Sequence, residues 1–184
     1  MSEPHFIGDL HISNNSIKRF RPIILDRYGN SIDWSSQAEY NETLIDNIVA
    51  STGKRDDIYF MGDICDDVEL LKLFTRISGR KFLILGNHDT LNVKEYIPYF
   101  HDIFGITKYK NMWLSHCPIH PNELFCKVNI HGHTHRNFMP SNMRASIDDE
   151  TIYPDTRYIN VSADVVDFKP YPLTLIKQRV SIHE

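Results

Sequence analysis

The chain has 184 residues, 41% of them hydrophobic and 24% charged, with a net charge of −4. That length suits one domain, 1–184, able to bury about 70% of its unfolded surface. No apolar run nears the ~18 residues of a membrane span and no Lys/Arg run exceeds two, which argues against a membrane and against an extended nucleic acid as partner.

The first apolar run, residues 5–8, leaves no room before it for a cleaved signal peptide, so a cytoplasmic location is expected. A polar, irregular stretch over about 12–38 follows and reads as a long loop, with Trp34 in it as either a base-stacking ring or a hydrophobic anchor. Leu44, Ile45, Ile48 and Val49 recur at helical spacing and predict a helix over 39–52. An apolar run at 58–62 predicts a strand. Leu70, Leu71, Phe74 and Ile77 then predict a second helix, capped by Asp66 or Asp67. Further strands are expected at 82–86, 112–115, 128–130 and 158–161, and a second polar loop at 137–157. Alternating strands and helices imply an α/β fold with a substantially parallel sheet. Cys65, Cys117 and Cys126 form no C-x-x-C pair and read as small buried hydrophobes in a reducing compartment.

The strand ends repeat one device. Gly8 is followed by Asp9 and His11, Gly62 by Asp63, Gly86 by Asn87 and His88, Ser115 by His116, and Gly132 by His133 and His135. In open α/β sheets such carboxyl ends converge on a ligand. Asp9, His11, Asp63, Asn87, His116, His133 and His135 offer oxygen and imidazole donors without a thiolate, which suits a hard or borderline divalent ion. Seven ligands are too many for one tetrahedral zinc and suit two ions sharing a carboxylate, the arrangement of hydrolytic two-metal centres.

Asp9-Leu10-His11, the G-D-x-x-D of 62–66, the G-N-H-D of 86–89, the lone His116 and the G-H-x-H of 132–135 together resemble the calcineurin-like metallophosphoesterase superfamily, in its small single-domain bacterial and phage form. The resemblance implies a four-layer α/β/β/α sandwich of two mixed sheets flanked by helices. It implies that Asp9, His11, Asp63 and His135 hold a first metal, that Asp63 bridges, and that Asn87, His116 and His133 complete a second. His88 matches the family's phosphate-contacting histidine and general acid, and Asp66 its carboxylate partner. Asp89 is left to close its loop by hydrogen bonding. Asn87, His88, His120 and Arg136 are the candidates for touching substrate. Asp67 stands where the superfamily's protein phosphatases carry a phosphate-gripping arginine, which weakens a protein-phosphatase reading.

The expected activity is therefore metal-dependent hydrolysis of a small phosphomonoester or phosphodiester, nucleotide derivatives included, by a hydroxide bridging two ions. Manganese is the favoured ion by family likeness; iron, zinc and nickel remain open, and magnesium is the least attractive against nitrogen-rich ligation. The alternatives are a nuclease of the same superfamily and a catalytically idle protein-binding scaffold.

Overall fold

In a computed structural model, which describes residues 3–14, 16–124, 128–141 and 151–181, each of the six apolar runs forms a strand. The chain begins with β1 (Pro4–Ile7), a hairpin of β2 (Ile23–Leu25) and β3 (Ser31–Asp33), and helix α1 (Gln37–Ser51). Next come β4 (Asp57–Phe60), β5 (Arg80–Ile84), the short helix α2 (Val93–Tyr96), β6 (Asp102–Phe104), β7 (Ile106–Tyr109) and β8 (Met112–Ser115). Strands β9 (Val128–His131), β10 (Tyr158–Asn160) and β11 (Tyr171–Pro172) precede the last helix, α3 (Leu173–Ser181).

Apart from the β2–β3 hairpin, the strands among the described residues form two mixed sheets, as expected. One has the order β11-β1-β4-β5-β6, with β1, β4, β5 and β6 parallel and β11 antiparallel on the edge. The other runs β10-β9-β8-β7, parallel except for the β7–β8 pair. Tyr109 of β7 packs edge-on against Phe6 and Tyr59, so the sheets share one apolar core. Backbone bonds from Gly8 N to Val161 O and from Asp9 N to Gly62 O tie the carboxyl ends of β1, β4 and β10 together. The strand-end residues are thereby gathered at one corner.

Helix α1 forms where the periodicity places it. The Ser36 hydroxyl accepts from Glu39 N, while the Glu39 carboxylate reaches back to Ser35 N, a variant of the reciprocal cap. Tyr40, Leu44, Ile45 and Ile48 make its buried face. Two expectations about the elements are corrected, and Trp34 takes the second of its two readings. The second predicted helix is a 3₁₀ helix, Leu70–Arg76, its start capped by Asp67, which accepts from Glu69 N. The stretch 12–38 is not one irregular loop: it folds as a 3₁₀ turn at Ile17–Arg19 and the β2–β3 hairpin. Trp34 is buried, its indole N–H donating to Arg21 O at 2.8 Å and its ring 4.8 Å from Tyr40, so it anchors that stretch and offers no face for stacking. Cys65 is buried as expected, Cys117 is exposed, contrary to expectation, and Cys126 lies outside the described residues. No helix among the described residues is long and apolar enough to cross a membrane.

Candidate metal centre

Asp9, His11, Asp63, His133 and His135 share a backbone peculiarity. All have positive φ, between 48° and 67°, and they are five of the eight non-glycine residues in that region among those described. Asp and His tolerate the left-handed region better than most side chains, yet each such residue costs stability and persists only where surrounding structure enforces it. Here the reversal swings each strand end out of the sheet and turns its side chain into the corner. The glycines permit the crowding. A Cβ on Gly62 would overlap His116, one on Gly86 would overlap Asp63, and one on Gly132 would overlap Asp9.

Within the corner, lone pairs face one another. His116 Nδ1 donates to Met61 O at 2.8 Å, which fixes the tautomer and leaves the Nε2 lone pair facing inward. That nitrogen lies 3.0 Å from Asn87 Oδ1, 3.2 Å from His133 Nδ1 and 3.3 Å from Asp63 Oδ2. Asp63 Oδ2 is also 3.9 Å from His11 Nε2, so this carboxylate stands between two imidazoles, and its Oδ1 accepts His88 N–H at 2.8 Å. His135 Nε2 is 3.9 Å from Asp9 Oδ1, and both Asp9 oxygens face His133 N. Ligand atoms of Asp9, His11 and His135 lie within 4.8 Å of one another, as do those of Asp9, Asp63 and His116. Cys117 groups similarly with His116 and His133, a soft donor that the sequence reading left out.

Burial raises the Asp9 pKa against the pull of His116 and His135. Burial, with the Arg21 charge, holds the His11 ring neutral. Burial also works against charge on Asp63 and His116, but their mutual hydrogen bond and attraction prevail, lowering the acid and raising the base. One proton can serve only one of the pairs around His116 Nε2, whereas a cation serves all of them.

The other candidates are placed as follows. His88 is exposed at the rim, its ring 5.4 Å from that of His11. Asp66 lines the same cavity, but its carboxylate accepts from the Ser13 hydroxyl, and among the described residues no hydrogen bond joins it to His88. His120 caps the 3₁₀ turn Pro121–Glu123, accepting from Asn122 N, and does not line either cavity beside the centre. Arg136 is exposed, with Nε 3.7 Å from Asp164 Oδ2. Asp89 accepts from the backbone N–H groups of Asp63, Ile64, Cys65 and Gly86 and so clamps the β4 end to the β5 end. Asp89→Ala strands these donors, and a loss of about 3 kcal/mol is expected in urea unfolding. An unchanged midpoint would refute the clamp.

Sequence reasoning missed Arg21, Asp164 and Asn160. The Arg21 side chain is 1% exposed and donates to Asp9 O, to Tyr40 Oη at 3.0 Å and to Asp164 Oδ1 at 2.7 Å, while its Nη2 lies 2.9 Å from His135 Nδ1. Asp164 Oδ1 is 3.4 Å from that same nitrogen, and despite burial its carboxyl is held at about 2 by His135 and Arg21. Arg21 can only donate and Asp164 can only accept, so the two pull the Nδ1 proton in opposite directions. A proton kept on Nδ1 by Asp164 leaves Nε2 free to ligate. Asn160 Nδ2 donates to Thr134 Oγ1 and His135 O and steadies the loop after β9.

Comparison with known proteins places this architecture. A structure titled as a protein of unknown function from Aquifex aeolicus superposes with a TM-score of 0.67 at 24% identity, covering 97% of this chain and 99% of that one, and so shares the fold. An uncharacterised protein of Methanocaldococcus jannaschii is 30% identical over 187 residues, spanning 96% of this chain and 90% of the relative. A probable cyclic nucleotide phosphodiesterase of Coxiella burnetii is 27% identical over 93 residues, spanning 47% of this chain and 32% of the relative. Residues 5–155 match the calcineurin-like phosphoesterase family, to which the chain therefore belongs, and which implies a hydrolase acting on phosphoesters.

Proposed function

We propose that the protein is a two-metal hydrolase of small phosphomonoesters or phosphodiesters, working as one domain over 1–184. The observation that carries this is His11 Nε2, a buried nitrogen without a hydrogen-bond partner, aimed at a corner where the other lone pairs converge. An orphaned buried donor or acceptor costs about 1–3 kcal/mol, a penalty that a cation bound there removes. The donor set fits: Asp9, His11, Asp63 and His135 would hold one ion, and Asp63, Asn87, His116 and His133 the other, with manganese the first candidate. A pair of divalent ions would acidify a water and withdraw charge from the phosphate.

The chain's own residues supply the rest. His88, exposed at the rim, delivers a proton to the departing oxygen, and its backbone N–H on Asp63 Oδ1 keeps the ring's stem in register with the centre. Asp66, fixed by Ser13, lines the same cavity as His88. Arg21 and Asp164 orient His135. The similarity to a probable cyclic nucleotide phosphodiesterase of Coxiella burnetii supports diesters among the substrates.

Titrating metal-stripped protein with Mn²⁺ while assaying p-nitrophenyl phosphate and bis-p-nitrophenyl phosphate tests this reading. Two equivalents bound and metal-dependent release of nitrophenol are expected. Hydrolysis that survives exhaustive chelation, or a single equivalent at saturation, rejects the dinuclear reading.

A further inference from the structure

Two cavities meet at His11 and His88. The smaller, about 320 Å³, is walled by Ser13, Asn14, Asp63 and Asp66 and is polar. The larger, about 610 Å³, is lined by Ile17, Phe20, His135, Arg136 and Asn137 among others. That volume lies in the range of pockets for drug-sized or nucleotide-sized ligands.

Phe20 is out of keeping with its surroundings. Ile17 before it and Arg21 after it are both buried, yet Phe20 is 75% exposed. Its backbone is held on both sides. Phe20 N donates to Ile17 O at 2.9 Å, and the next residue is locked by four polar groups and by Trp34. An aromatic ring held out over a cavity on a rigid support is a stacking platform awaiting a flat partner. The sequence offered Trp34 for such a role; the structure spends Trp34 on anchoring the segment and presents Phe20 in its place. Arg136, exposed and lining the same cavity with Nε 3.7 Å from Asp164 Oδ2, offers a guanidinium that can stack on a ring bound there.

Taking the phosphoesterase reading as its basis, the geometry points to a substrate whose ester carries a flat aromatic substituent, with Phe20 as the residue that selects it. The phosphate sits at the metal centre, the substituent extends past His88 into the larger cavity, and its ring lies on Phe20. Benzyl-sized rings and nucleobases fit; a bare methyl or ethyl ester leaves the platform uncovered.

Calorimetric titration of Mn²⁺-loaded protein with benzylphosphonate and methylphosphonate reads this without turnover. The benzyl compound is expected to bind about ten-fold tighter, a margin within the ~1–3 kcal/mol that base–aromatic stacking contributes. Phe20→Ala should erase most of that preference and Phe20→Trp restore it. Equal affinities in the unaltered protein, a preference that survives Phe20→Ala, or no binding of either phosphonate overturns the inference. Failure of the hydrolytic reading shows separately, as phosphonates that bind with the expected preference to a protein that turns over no ester with any metal.

Discussion

Asp63→Asn is expected to give a folded protein that no longer holds two divalent ions and hydrolyses esters at least about 10³-fold more slowly, beyond the 10²–10³ lost with one transition-state hydrogen-bond donor. The fold should survive because Asp63 N keeps its bond to Asp89, and an amide oxygen can still accept His88 N–H. What disappears is the anionic oxygen lying 3.3 Å from His116 Nε2 and 3.9 Å from His11 Nε2. An amide nitrogen put there would point donors at the place where a cation should sit. Metal counting by calorimetry and turnover on the same preparation decide the matter. Two bound ions with normal hydrolysis would end the assignment.

His88→Gln is expected to separate substrates by their leaving group. Alkyl esters, whose alkoxide must be protonated as it departs, should slow by about 10²–10⁴, the usual worth of a general acid. A p-nitrophenyl ester needs no such help and should slow by less than about ten-fold. Metal content should be unchanged, since the structure turns the His88 ring to the rim while only its backbone touches Asp63. Equal slowing of both ester types would show that His88 positions phosphate without donating a proton.

How much of this was legible in advance depended on the range of the interactions. The six apolar runs were readable because buried parallel strands are continuous in hydrophobicity, and α1 because Tyr40, Leu44, Ile45 and Ile48 recur at helical spacing. β6 and β11, of three and two residues, lie outside those runs; their pairing with β5 and β1 makes them strands. The 3₁₀ helix at Leu70–Arg76 shared the periodicity of an α-helix over too few turns to be distinguished from one. At the site, Asp and His after a glycine were conspicuous in the sequence. Arg21 was not: its partners His135 and Asp164 lie 114 and 143 residues away, and one arginine in a polar stretch looks like any solvated one. The Phe20–Trp34 exchange of roles was hidden for the same reason. Which aromatic is swallowed by the core depends on Arg21, Tyr40 and the hairpin together.

The left-handed turns at Asp9, His11, Asp63, His133 and His135 carry an implication for how this protein tolerates change. Glycine would adopt each of those conformations without steric cost, and it cannot bind an ion. Heat resistance and chemistry therefore compete for the same five positions: a lineage or a screen rewarded only for surviving high temperature would drift toward a sturdier, inert chain.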